Sequence, residues 1–91
     1  MNALTYLLLK YLDKPWNWGC ISQNPNITME FIEKYPHRHW NWDWISMNPN
    51  LTTDFIEKHI HNIDFKYLSQ NKFTFENIRI KKKEAFLLLE K

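Results

Sequence analysis

The apolar and polar positions of this chain form a pattern that returns. W-N-W-G-C-I-S-Q-N-P-N-I-T-M-E-F-I over residues 16–32 comes back as W-N-W-D-W-I-S-M-N-P-N-L-T-T-D-F-I over 40–56. Trp16, Trp18, Ile21, Ser22, Asn24, Pro25, Asn26, Thr28, Phe31 and Ile32 thus recur unchanged at a spacing of 24. Two looser copies flank the pair. Ile63, Asp64, Phe65, Leu68, Ser69 and Asn71 come after Trp40, Asn41, Trp42, Ile45, Ser46 and Asn48 by 23; one residue is then lost, so Phe73, Thr74, Glu76 and Ile78 come after Leu51, Thr52, Asp54 and Ile56 by 22. At the front, Leu4 and Thr5 stand where Ile27 and Thr28 stand, and Lys10 and Tyr11 precede Lys34 and Tyr35 by 24. A fixed period of this kind is the mark of stacked repeats. The chain reads as one domain, 1–91, made of a half unit (1–15) and three units (16–39, 40–62 and 63–91).

Each unit carries two helix starts of the same design. Thr28, Thr52 and Thr74 are N-cap residues with Glu30, Asp54 and Glu76 in the first turn, where the helix end is positive. Asn17, Asn41 and Asp64 cap the other helix of each unit. Apolar residues bracket every cap, as in Ile27 with Ile32, Leu51 with Ile56, Trp16 with Ile21 and Trp40 with Ile45, the spacing of a hydrophobic staple. Thr5 fits the same rule. The pattern predicts short helices over about 5–12, 18–23, 29–35, 42–47, 53–61 and 65–70 and a longer one over about 75–90. Pro25 and Pro49 in the N-P-N words break the chain between the helices of a unit, and the asparagines satisfy the corner.

Helices this short are marginal alone and need neighbours. Stacking supplies them, with Trp18, Trp42 and Phe65 as one expected column, Ile21, Ile45 and Leu68 as another, and Phe31 with Phe55 as a third. The expected fold class is all-α, a short helical-hairpin solenoid stacked in the manner of tetratricopeptide or ankyrin arrays.

Composition narrows the chemistry. With 44% hydrophobic and 16% aromatic residues the chain has the mass for a core, and its single glycine argues against a sheet of tight turns. A net charge of +2 does not mark a nucleic-acid binder. The lone Cys20 forms no internal disulfide, which points to a reducing intracellular compartment. No apolar run reaches the roughly 20 residues that span a bilayer.

The words D-K-P-W-N-W (residues 13–18) and N-P-N-I-T (residues 24–28) resemble the tandem repeats of mimivirus-like giant DNA viruses, where units of this length run in long arrays. The resemblance is close over residues 13–56. It departs at His37, Arg38 and His39, which replace D-K-P, and in the third unit, which lacks both tryptophans and the proline. It implies a viral repeat scaffold acting in host cytoplasm or virion, and carries no catalytic residue across.

The candidate sites come from the positions that the repeat leaves variable. Gly19, Cys20, Asp43, Trp44, Lys66 and Tyr67 occupy positions that differ between units, and of these Trp44 and Tyr67 are the expected partner-binding residues, since both types anchor interfaces. Leu87 and Leu88 fall outside the inward stripe of Phe75, Ile78, Ala85, Phe86 and Leu89 on the last helix, so they are expected to mediate self-association into a dimer or higher oligomer. Arg79, Lys81, Lys82 and Lys83 form a basic run that would serve a nucleic-acid-binding alternative. His37, His39, His59 and His61 sit in linkers as two H-x-H pairs and are expected to be solvated, with no metal or cofactor bound. Ser22, Ser46 and Ser69 lack the glycine-bounded elbow of a nucleophile and read as a structural ladder. The expected function is a non-enzymatic protein-interaction module or scaffold.

Overall fold

The computed structural model describes residues 1–73 and 87–90. Among these residues the chain is all-α: six short helices and no strand, α1 (Ala3–Lys10), α2 (Trp18–Ser22), α3 (Met29–Lys34), α4 (Trp42–Ser46), α5 (Thr53–Lys58) and α6 (Phe65–Leu68). Residues 87–89 add one helical turn. Most of the helix expected over 75–90, with its cap Thr74 and its inward residues Phe75, Ile78, Ala85 and Phe86, lies outside the described residues.

The five interior caps within the described residues fall where the sequence puts them. Asn17, Asn41 and Asp64 accept from the backbone N–H groups of Cys20, Trp44 and Tyr67, and Thr28 and Thr52 from those of Phe31 and Phe55, at 3.0 to 3.2 Å. The first helix differs from expectation. It starts at Ala3, not Thr5, because Asn2 reaches the Thr5 N–H at 2.8 Å and so caps the chain earlier. Its other end keeps the register: α1, α3 and α5 stop at Lys10, Lys34 and Lys58, each a lysine that complements the negative helix end. α5 therefore ends at Lys58 and does not run on to residue 61, because His59 leaves the helical region as Tyr35 does.

α2 packs on α4 and α4 on α6. Under this row lies one core of Leu8, Ile21, Ile27, Ile32, Ile45, Leu51 and Phe55, with Trp18, Met29 and Phe31. Burial of each such side chain stabilises by about 1.5–3 kcal/mol, which is what holds helices of four to eight residues together. Trp16 and Trp40 tie each linker down by donating Nε1–H to the C-cap carbonyls of Tyr11 and Tyr35, both at 2.8 Å. Ile63 takes that place in the third unit and has no donor.

The aromatic column is offset from expectation. Trp18 meets Trp40 edge-on at 5.1 Å, while Trp42 stacks on Phe55 at 5.9 Å and lies 5.4 Å from His59. Phe65 is 57% exposed. Trp18 is thus covered by the first aromatic of the next unit, whereas Trp42, with Ile63 in that place, is covered by Phe55 and His59 from the second half of its own unit.

Candidate interaction surface

Successive units are joined by side chains the repeat keeps. Ser22 Oγ donates to the Trp18 carbonyl at 2.7 Å and accepts from the Asn41 N–H at 2.9 Å; Ser46 Oγ does the same with Trp42 and Asp64 at 2.7 and 3.0 Å. The asparagines add a second tie. Asn48 Nδ2 donates to the Ser22 and Asn24 carbonyls, and Asn71 Nδ2 to those of Ser46 and Asn48, at 2.8 to 3.1 Å. Both buried serines are thereby engaged in two hydrogen bonds each. The expected serine ladder is present, bonded to backbone; the asparagine ladder beside it is an addition that the recurrence of Asn24 and Asn48 foreshadowed.

The variable positions lie in pairs on α2, α4 and α6. Cys20 is exposed, and Trp44 and Tyr67 are half-buried, each with its N–H held by the cap before it. Trp44 leans back on the preceding helix. A Cβ placed on Gly19 would make ordinary contact with its ring at 3.8 Å; the tighter approach, 3.3 Å, is to the cap oxygen Asn17 Oδ1. Beside the two aromatics stand Asp43 and Asp64. Partial desolvation and then the neighbouring Asp64 carboxyl raise the Asp43 pKa. Two aromatic faces next to a carboxylate pair form a surface suited to a cationic side chain.

Elsewhere the edge is ionic. A groove of about 410 Å³ runs between α3 and α5, lined by Glu30, Asp54, Glu33 and Lys58 among others. Lys58 Nζ donates to Glu33 Oε2 at 2.6 Å, and that hydrogen bond, with lesser help from the Lys58 and His59 charges, holds the Glu33 carboxyl below its ordinary range against desolvation. His59 Nε2 lies 3.8 Å from the same oxygen, buried and without a hydrogen-bond partner, while its ring packs 4.4 Å from Phe55.

The remaining candidates fall in different places. Leu87 and Leu88 are exposed, as expected; Leu89, expected to face inward, is the most exposed of the three. Leucines on three successive helical positions do not share one face. Arg79, Lys81, Lys82 and Lys83 lie outside the described residues. His37, His39 and His61 are exposed, whereas His59 is partly buried against Trp42. Among the described residues no three His, Cys, Asp or Glu side chains gather as metal ligands, and no helix is long and apolar enough to cross a membrane. Among the described residues further exposed apolar side chains are Tyr6, Leu7 and Leu9 on α1, Tyr11 just beyond it, Ile60 and Phe65.

Comparison with protein families, curated proteins and solved structures returns no match to this chain.

Proposed function

We propose that this chain is a helical repeat solenoid that serves as a non-enzymatic scaffold, presenting a protein-binding edge and associating with further copies through its ends. The observation that carries the reading is the junction made twice with the same groups: a cap N–H on a serine Oγ, and an asparagine Nδ2 on two carbonyls one unit back. A junction that repeats by translation is what extends an array unit by unit. It agrees with the resemblance to giant-virus repeat proteins, on which the scaffold would act in an infected cell or virion. Cys20, Asp43, Trp44 and Tyr67 give the edge its individuality, while Leu87 and Leu88 offer apolar area for association.

The test is molar mass by light scattering over a wide concentration range. A mass that rises above 11.3 kDa and returns to it in Leu87→Lys or Leu88→Lys supports self-association through the end. A constant monomer mass in the unaltered chain removes that part of the proposal.

A further inference from the structure

The linker between α1 and α2 carries an apolar hollow of about 270 Å³ lined by Tyr11, Lys14, Pro15 and Trp16. One unit later the corresponding residues do a defined job. Trp40, the counterpart of Trp16, meets Trp18 edge-on at 5.1 Å, and Arg38, the counterpart of Lys14, lies 5.3 Å above the Trp18 ring. The helix beneath tells the same story. Phe31 and Phe55 are 6% and 2% exposed, covered in the same core as Trp18 and Trp42, whereas Leu7 at the equivalent position of α1 is 40% exposed.

The polar half of the junction is open at the same end. The Asn41 and Asp64 N–H groups bond to serine Oγ atoms, and Asn48 and Asn71 Nδ2 bond to carbonyls one unit back. Their counterparts, the Asn17 N–H and Asn24 Nδ2, make no such bond among the described residues. This end therefore offers the aromatic and cationic groups that cover Trp18 once inside this chain, together with the N–H and amide groups that bind a neighbouring helix twice.

We propose that this face is a docking socket for a W-N-W-x-x-I-S-x-N-P-N segment carried by a second chain of the same repeat type, whose second tryptophan enters between Leu7, Lys14 and Trp16. The serine of the segment accepts from the Asn17 N–H, and its serine and asparagine carbonyls accept from Asn24 Nδ2. Continuity with the α2–α4 interface identifies the occupant: the groups offered match this segment and leave no donor unused. The inference rests on the scaffold reading and names the partner of its front end.

The test is a titration of the ¹⁵N-labelled full chain with a synthetic peptide of residues 40–51, monitored by NMR. Saturable shifts are expected at Trp16 Nε1–H, the Asn17 N–H and the Asn24 side-chain amide. A Trp42→Ala peptide should bind about tenfold or more weakly. Leu7→Asp in the protein should do the same while the dispersed spectrum of the folded chain persists, since Leu7 is already partly in water. Absence of shifts at those three groups, or equal binding by the Trp42→Ala peptide, overturns the socket. Failure of self-association through the Leu87–Leu88 end shows separately, as a constant monomer mass in light scattering of the chain without peptide.

Discussion

The side-chain amide of Asn48 reaches 26 residues back to the carbonyl of Ser22, at 2.9 Å, and both residues are fully buried. The same amide also donates to the Asn24 carbonyl, and Asn48 Oδ1 accepts from the Asn50 N–H at 2.8 Å. One side chain thus closes its own corner and fastens it to the unit before. Asn48→Ala leaves the Ser22 carbonyl and the Asn50 N–H without partners, while the Asn24 carbonyl keeps the Ile27 N–H at 3.0 Å, and the expected cost is about 2–4 kcal/mol. Asn24→Ala loses only the bond from the Asn26 N–H and should cost about 1 kcal/mol. Urea denaturation of the two variants checks the difference, and equal costs would refute the role given to Nδ2.

The serines separate in the same way. Ser22→Ala leaves the Asn41 N–H without its acceptor and should cost about 1–3 kcal/mol. Ser69 Oγ donates to the Phe65 carbonyl but accepts nothing among the described residues, so Ser69→Ala should stay within about 0.5 kcal/mol. The bond from a serine to its own helix slightly weakens the helix, which makes the contact with the next unit the reason for keeping it. Thermal denaturation of both variants decides, and a larger loss at Ser69 would contradict it.

How much of the fold is legible in the sequence depends on the range of each interaction. Five interior caps are readable at the right residues because a cap bonds within three positions of itself. Asn2 escapes the pattern because it lies outside the aligned part of the unit, so the sequence puts the start of α1 at Thr5. The pairing of Trp18 with Trp40, and not with Trp42, depends on the stagger between units, which no local pattern encodes. Trp44 and Tyr67 are legible as variable positions of the repeat, but the carboxylate pair beside them joins residues of different units, Asp43 and Asp64, and only the packing of α4 on α6 brings these together.

Acid should weaken the contact between α3 and α5. The Glu33 carboxyl is depressed chiefly by the hydrogen bond from Lys58, so it binds its proton less readily in the fold than in the unfolded chain. Its contribution is present above the unfolded carboxylate pKa and fades as pH falls through the folded one. Because both partners are substantially exposed, Glu33→Gln should cost only about 0.2–1 kcal/mol at pH 7. That difference should vanish well below about pH 4, and a difference independent of pH would show that the ion pair is not its source.

Asp43 has the opposite sign. Its pKa is raised by desolvation and by Asp64, so the fold holds its proton more tightly than the unfolded chain does. The repulsion opposes folding above the folded pKa and disappears as pH falls toward the unfolded one. Asp43→Asn should therefore raise the melting temperature at neutral pH, with a gain that shrinks in acid. A variant that melts lower at pH 7 would mean that Asp43 makes a favourable contact outweighing Asp64.

The third corner departs from the other two, and its backbone records the departure. In the first two, Asn24 and Asn48 Oδ1 accept from the N–H groups of Asn26 and Asn50; in the third, Asn71 Oδ1 accepts from the Phe73 N–H at 2.7 Å. Phe73 thus holds the second asparagine's backbone place while packing its ring on the core, and it does so at φ 43°, a region that costs a side-chain-bearing residue about 1–2 kcal/mol. The bonds that Asn50 Nδ2 makes to the Pro25 and Ile27 carbonyls, at 2.6 and 2.8 Å, have no counterpart there. An asparagine inserted between Lys72 and Phe73 gives back both the donor and the spacing, letting Phe73 take the position of Leu51. The insertion should stabilise the chain by about 1–2 kcal/mol, read as a higher urea midpoint. A lower midpoint would mean that the shortened corner is fitted to the segment beyond Phe73, and that the third unit is built to differ from the two before it.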